Sequence, residues 1–233
     1  MMRRTLCALI AILASVSAFS QTPRDISHLP PTERLTALLQ QFGRFQRTLK
    51  TLQADFVQRR TSNLLVKESV SRGRLYFSAP DDIRWEYESP RRMTVLIADG
   101  VATTYRPEEK RAERIEVSRT QRRVFRFLAA SQPVDELKRY FTITFVDPGP
   151  PGNYQLDLDP TSRHIKKRLR SLSIEIDRTS LLPVGVTWVD HDGDTTSYTF
   201  SNVRVDGKLP AKIFTLKLPP DVQVVELRLG AGE

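Results

Sequence analysis

Gly73-Arg-Leu-Tyr-Phe-Ser-Ala-Pro80, Ile83-Arg-Trp-Glu-Tyr87 and Met93-Thr-Val-Leu-Ile97, followed by the turn pair Asp99-Gly100, decide the fold. Leu75 and Phe77 alternate with Arg74 and Tyr76; Ile83, Trp85 and Tyr87 alternate with Arg84, Glu86 and Glu88. A two-residue period places one set on an apolar face and the other on a polar face, which is the pattern of half-buried strands joined by tight turns. The alternation returns at Phe141, Ile143 and Phe145; at Tyr154, Leu156 and Leu158; at Leu172, Ile174 and Ile176; at Val184, Val186 and Trp188; and at Tyr198 and Phe200. About eleven strands result, too closely spaced for helical crossovers, so the sheet is expected to be antiparallel.

Working outward, the residues ahead of these strands read as a helix. Leu35, Leu38, Leu39, Phe42, Phe45, Leu49 and Leu52 recur every three or four positions, with Thr32 as N-cap and Glu33 in the first turn. Arg3, Arg4 and the apolar run Leu6 to Phe19 read as an export signal, residues 1–20, cut after Ser20 or two residues earlier. Residues 21–31 read as a linker, 32–229 as a single domain and 230–233 as a tail. Between strands, Arg119 to Tyr140 lose the alternation and suggest two short helices split at Pro133.

Composition bounds the chemistry. The 233 residues carry 36 Lys+Arg against 27 Asp+Glu, a net charge of +9, with 39% hydrophobic and 27% charged residues, as in an ordinary globular protein. Loss of Arg3 and Arg4 with the signal leaves 34 basic against 27 acidic residues, +7, and loss of Cys7 leaves no thiol. No Gly-x-Ser-x-Gly, His-Glu-x-x-His, phosphate-loop or dinucleotide motif occurs. Asp190-His191-Asp192-Gly193-Asp194 suggests a cation loop, but an EF-hand needs glycine and glutamate where Thr195 and Ser201 stand, and the flanking strands favour a hairpin turn. No cofactor, metal site or catalytic residue is expected. Basic segments at Arg119, Arg122, Arg123 and Arg126 and from Arg163 to Arg170 suit either a solvated face or an anionic partner; export argues against nucleic acid.

Apolar strand faces this extensive exceed what one long and two short helices cover, so the sheet is expected to curl around its own apolar side. Pattern alone leaves two outcomes: a barrel or half-barrel enclosing apolar space, or a two-layer sandwich filled by its own side chains. A transmembrane barrel is disfavoured by runs of about six residues and by arginines on the outward face.

The ordered run from Gly73 to Pro80, Ile83 to Tyr87, Pro90, Val95 to Gly100 and Tyr105 resembles the outer-membrane lipoprotein carrier protein (LolA) family. Phe56, Gln58, Leu182-Pro183, Asn202, Phe214, Pro219 and Val222 extend the resemblance over nearly the whole mature chain. It implies a mainly β (α+β) fold: an unclosed antiparallel β-barrel of about eleven strands, with an N-terminal helix and a short helical insert acting as lid. It also implies a periplasmic, monomeric, non-enzymatic chaperone that shields acyl chains of lipoproteins between inner and outer membrane. The implied partners are acylated lipoproteins, an inner-membrane lipoprotein-releasing transporter and an outer-membrane acceptor; transient contact with a membrane surface is expected from the basic segments. Leu75, Phe77, Trp85, Tyr87, Val95, Ile97, Phe141, Phe145, Leu172, Ile174, Val186, Trp188 and Phe200 are the expected cavity residues, with Phe127 and Leu128 on the lid. Many family members carry a lid-binding arginine before the proline that ends the first strand of this run; here Ala79 precedes Pro80, so Arg74 or Arg84 is the candidate gate. Another lipid cargo, or a lipid-sensing regulatory domain of the same fold, is the alternative; such sensors usually carry a second domain, and the chain ending at Glu233 favours the carrier.

Overall fold

The computed structural model describes residues 26–62, 67–116 and 138–227. The export signal, lid residues Phe127 and Leu128, the arginines between 119 and 126 and the tail lie outside the described residues.

Helix α1 spans Pro31–Thr48. Thr32 is not its N-cap: Pro30 occupies that place and Pro31 starts the helix, its fixed φ already helical and its missing N–H an orphan there in any case. The helix stops where Thr48 Oγ1 donates back to the Phe45 carbonyl, 3.0 Å away, and Leu49 turns extended. Leu52, three residues further along the apolar stripe, therefore belongs to the first strand. Ile26, within the stretch read as linker, is fully buried in the core.

The strands are β1 Thr51–Thr61, β2 Ser69–Ser78, β3 Asp82–Ser89, β4 Met93–Ala98, β5 Val101–Arg106, β6 Arg111–Glu116, β7 Phe141–Val146, β8 Tyr154–Pro160, β9 Leu169–Ile176, β10 Pro183–Asp190, β11 Thr195–Val205 and β12 Gln223–Leu227. A single helical turn, α2 Arg163–Lys166, joins β8 to β9, and a 3-10 turn at Pro107–Glu109 joins β5 to β6. All strands form one sheet in the order β12-β6-β5-β4-β3-β2-β1-β11-β10-β9-β8-β7, unclosed between β12 and β7. The expected antiparallel sheet is correct apart from one element: β12 adds a twelfth strand and pairs parallel to β6. Parallel pairing requires a crossover, supplied here by irregular chain from 206 to 222 rather than by a helix.

That crossover leaves β11 near the middle of the sheet and reaches the β12 edge across the outer surface. Tyr76, Arg84, Leu96 and Thr103 sit side by side on that surface by register. Tyr76 and Leu96 are buried although neither belongs to the inner cluster. Arg84 Nη1 donates to the Ile213 carbonyl at 2.9 Å, pinning the crossing segment, while Ile213, Phe214 and Leu216 are half-buried. The expectation of a single buried face is thus corrected: the β2–β5 half has two.

Antiparallel neighbours put their connections at alternate ends. Connections β1–β2, β3–β4, β5–β6, β8–β9 and β10–β11 lie at one end, the far end, together with the start of β7. Connections β2–β3, β4–β5, β7–β8 and β9–β10 lie at the other, where α1 also sits. Arg34 near the start of α1 donates to Asp147 after β7, and Ala79 between β2 and β3 donates to the Lys50 carbonyl just past its end. The helix, about 27 Å long at 1.5 Å per residue, therefore spans that end from the β7 side to β2.

Candidate functional site

Inner-face residues meet in rows across the sheet because register is continuous over the strands. Trp85, Leu75 and Ala54 form one row; Tyr87, Gly73, Phe56 and Phe200 form the next; Tyr198, Val186, Ile174, Leu156 and Phe145 form a third. Every expected cavity residue falls on this one face, buried in the core or packed against it. Leu75, Phe77, Trp85, Ile97, Leu172, Ile174, Val186 and Phe200 are buried; Tyr87, Val95, Phe141, Phe145 and Trp188 are half-buried.

At the centre the aromatic rings touch. Phe56 lies 5.0 Å from both Trp85 and Tyr87, edge-on to each, and Tyr198 lies 4.9 Å from Trp85 and stacks on Trp188 at 5.5 Å. Edge-to-face and offset pairs of this kind add roughly 0.5–1.5 kcal/mol each beyond area burial. Phe56 and Tyr198 are the hub, and neither was singled out as a cavity residue; the alternation Leu52, Ala54, Phe56 carried the signal. Only Gly73 admits the Phe56 ring, since a Cβ there would lie 2.8 Å from Phe56 Cζ.

Tyr87 and Tyr198 join their hydroxyls at 2.9 Å across the apolar wall. Burial pushes both phenols up from their ordinary range, so both stay neutral and the bond is between uncharged groups. Tyr198→Phe should cost about 1–3 kcal/mol, because Tyr87 keeps a buried hydroxyl without its partner, whereas Tyr87→Phe/Tyr198→Phe should be nearly neutral. Urea unfolding of the single and double variants measures this; a double variant as damaged as the sum of the singles contradicts it.

Exposure is graded along the wall. At the α1 end Leu49, Leu52, Phe77, Ile83, Tyr154 and Ile176 are all 4% exposed or less. Toward the far end Tyr87, Met93, Trp188 and Phe141 are only half-buried. The α1 end is also fastened: Asp147 accepts from Arg34 at 2.7 Å and from Arg178, which lies 4.3 Å from the centre of the Tyr154 ring. The Arg178 bond, with help from the Gly149 N–H and Arg34, holds the Asp147 carboxyl below the usual carboxylate range. A depressed carboxylate pKa contributes stability that is present above the unfolded value of about 3.9 and lost as pH falls through the folded value. Asp147→Asn should therefore lose about 1–2 kcal/mol at neutral pH and show a shallower acid limb. Denaturant titrations across about pH 3 to 6 check both parts.

A sequence profile describing the outer membrane lipoprotein carrier protein LolA matches residues 47–217, from the end of α1 into the crossing segment. The chain belongs to the LolA family. An outer-membrane lipoprotein carrier protein from Methylococcus capsulatus is 27% identical over 186 residues, covering 78% of this chain and 84% of that protein. An uncharacterized conserved protein from Thermus thermophilus shares the fold at 13% identity and a TM-score of 0.50, covering 83% of this chain and 99% of its own. A LolA superfamily protein from Nitrosomonas europaea aligns at 10% identity and a TM-score of 0.40 over 78% of this chain and 97% of its own.

Against the LolA frame, Ala79 is exposed in the β2–β3 connection, and its methyl side chain offers no hydrogen-bonding group. Neither candidate replacement points inward. Arg74 lies on the outer face and donates to Glu88; Arg84 lies there too, paired with Glu86 and holding the crossing segment. The Asp190–Asp194 turn is a hairpin connection. Asp190 Oδ1 accepts from the N–H groups of Asp192 and Asp194, Gly193 takes φ +90, and Asp194 pairs with Arg60 at 3.0 Å. Among the described residues no group of three His, Cys, Asp or Glu side chains is arranged to hold a metal ion.

Proposed function

We propose that this chain is a periplasmic, non-catalytic carrier that shields the acyl chains of lipoproteins against its inner wall on the way from inner to outer membrane. The observation that carries the reading is the continuous aliphatic and aromatic wall, tight at the α1 end and with Tyr87, Met93, Trp188 and Phe141 half-buried toward the other. Each methylene moved from water to such a wall contributes about 0.8 kcal/mol, so a protein bearing two or three long acyl chains cannot cross an aqueous space without one. Side chains that pack on each other when the carrier is empty compete with the guest, which keeps affinity low enough for release. Family membership and the relative named as a lipoprotein carrier support the same cargo, and with it a releasing transporter in the inner membrane and an acceptor in the outer one.

The test is purification of the mature protein from the periplasm of its own host, followed by mass spectrometry of what accompanies it. Acylated lipoproteins that leave when a fluorescent fatty acid is added are the expected companions. A preparation free of acylated species, which also fails to bind the fatty acid, overturns the reading; a different lipid would replace the cargo.

A further inference from the structure

The two ends of the sheet differ in charge. Arg91 and Arg92 in the β3–β4 turn, and Lys138 and Arg139 ahead of β7, are exposed at the far end. Arg163, Lys166, Lys167 and Arg168, in and beside α2, are exposed there as well. None of these makes an ion pair with another described residue, whereas carboxylates nearby are largely engaged: Glu68 with Arg59, Glu88 with Arg74 and Asp194 with Arg60. Glu108, Glu109 and Asp192 are the exposed acids of the β5–β6 and β10–β11 connections. The α1 end instead mixes both signs, with Asp81, Asp82, Asp99, Asp177 and Asp206 beside Arg44, Arg47, Lys50 and Lys208.

We infer that the far end is a membrane-docking face, on which exposed lysines and arginines of separate connections bind the headgroups of anionic phospholipid and turn the half-buried end of the inner wall toward the bilayer. Three arguments select a lipid surface. The cations are spread along the sheet from the β3–β4 turn to the β7 edge, as suits a diffuse charged plane rather than one compact acidic patch. Long Lys and Arg side chains reach such a plane while their stems cover apolar surface. Tyr87, Trp188 and Phe141, half-buried at the same end, are aromatic residues, and Tyr and Trp concentrate at membrane interfaces. The inference rests on the carrier reading for its purpose but not for the binding itself.

Flotation of the full mature chain with vesicles of phosphatidylglycerol and phosphatidylethanolamine, against phosphatidylcholine alone, tests it. Binding should require the anionic lipid and fall steeply as salt rises from about 0.1 to about 0.5 M. Arg91→Glu/Arg92→Glu and Lys166→Glu/Lys167→Glu should each weaken it about tenfold or more, at roughly fivefold per cation removed. Lys50→Glu/Lys208→Glu, at the α1 end, should change it less than about twofold on the same scale. Equal binding to phosphatidylcholine, no binding to anionic vesicles, or an equal loss in the α1-end variant overturns the docking face. So does binding to immobilised polyglutamate without vesicle binding, which would assign the far end to an acidic protein. Fatty-acid binding by the same variants separates the two readings: its absence from a protein that still floats with anionic vesicles sinks the carrier and leaves the docking face standing.

Discussion

Gly73→Ala should lower stability by about 4 kcal/mol or more, a large part of the 5–15 kcal/mol that holds a typical domain together. A Cβ at this position would stand 1.8 Å from the Glu86 carbonyl oxygen and 2.8 Å from its carbon, both backbone atoms of the neighbouring strand. The register between β2 and β3 already slips between Arg72 and Gly73, so the contact is made where the two backbones approach unusually closely. Relief requires β3 to move away, which opens the ladder beside Trp85 and Tyr87, or the Phe56 ring to leave the hub. Thermal unfolding should show a fall of roughly 10 °C. Gly207→Ala, where an added Cβ meets nothing within 4 Å, is the matched control and should be close to neutral. A Gly73→Ala protein as stable as that control would mean that the two strands are not packed as described.

Val95→Glu should abolish fatty-acid binding while the protein stays folded. Val95 faces inward opposite Trp85 and is half-buried, so a carboxylate there keeps some hydration in the empty protein. A bound acyl chain would strip that hydration away, and an unpaired carboxylate against hydrocarbon costs several kcal/mol. At about 3 kcal/mol the loss is a hundredfold or more in affinity. Val95→Leu keeps the wall apolar and should bind normally. Ile174→Glu would be a poor test, because that side chain is 4% exposed and a charge there should unfold the sheet before binding can be measured. An unchanged titration curve in folded Val95→Glu would remove this wall as the acyl site.

The inner wall was readable because side-chain direction in a strand is local. Leu75 and Phe77, or Leu172 and Ile174, reveal a shared face through spacing alone, and all the expected cavity residues lie on that face. The same logic failed at Tyr76 and Leu96. Their alternation places them outward, and outward they are, yet both are buried, on the face where Arg84 between them holds the Ile213 carbonyl. Nothing in the neighbourhood of Tyr76 signals a segment some 130 positions later in sequence. β12 escaped for the same reason: five residues without a clean apolar period become a strand through pairing with β6. Arg74 and Arg84 were candidates by proximity to the position of Ala79, whereas strand direction turns both to the outer face, where Glu88, Glu86 and the Ile213 carbonyl hold them.

By itself the amino-acid order determined that the chain would form an α1 helix and many short strands, and which side chains would share an apolar face, since period and turn residues act over a few positions. Only the tertiary structure decided which strands are neighbours, that α1 lies across one end, that a late segment crosses the outer face, and that exposed lysines and arginines of separate connections gather at the opposite end. Those features depend on register and chain crossing between residues far apart in sequence, where local spacing carries no information.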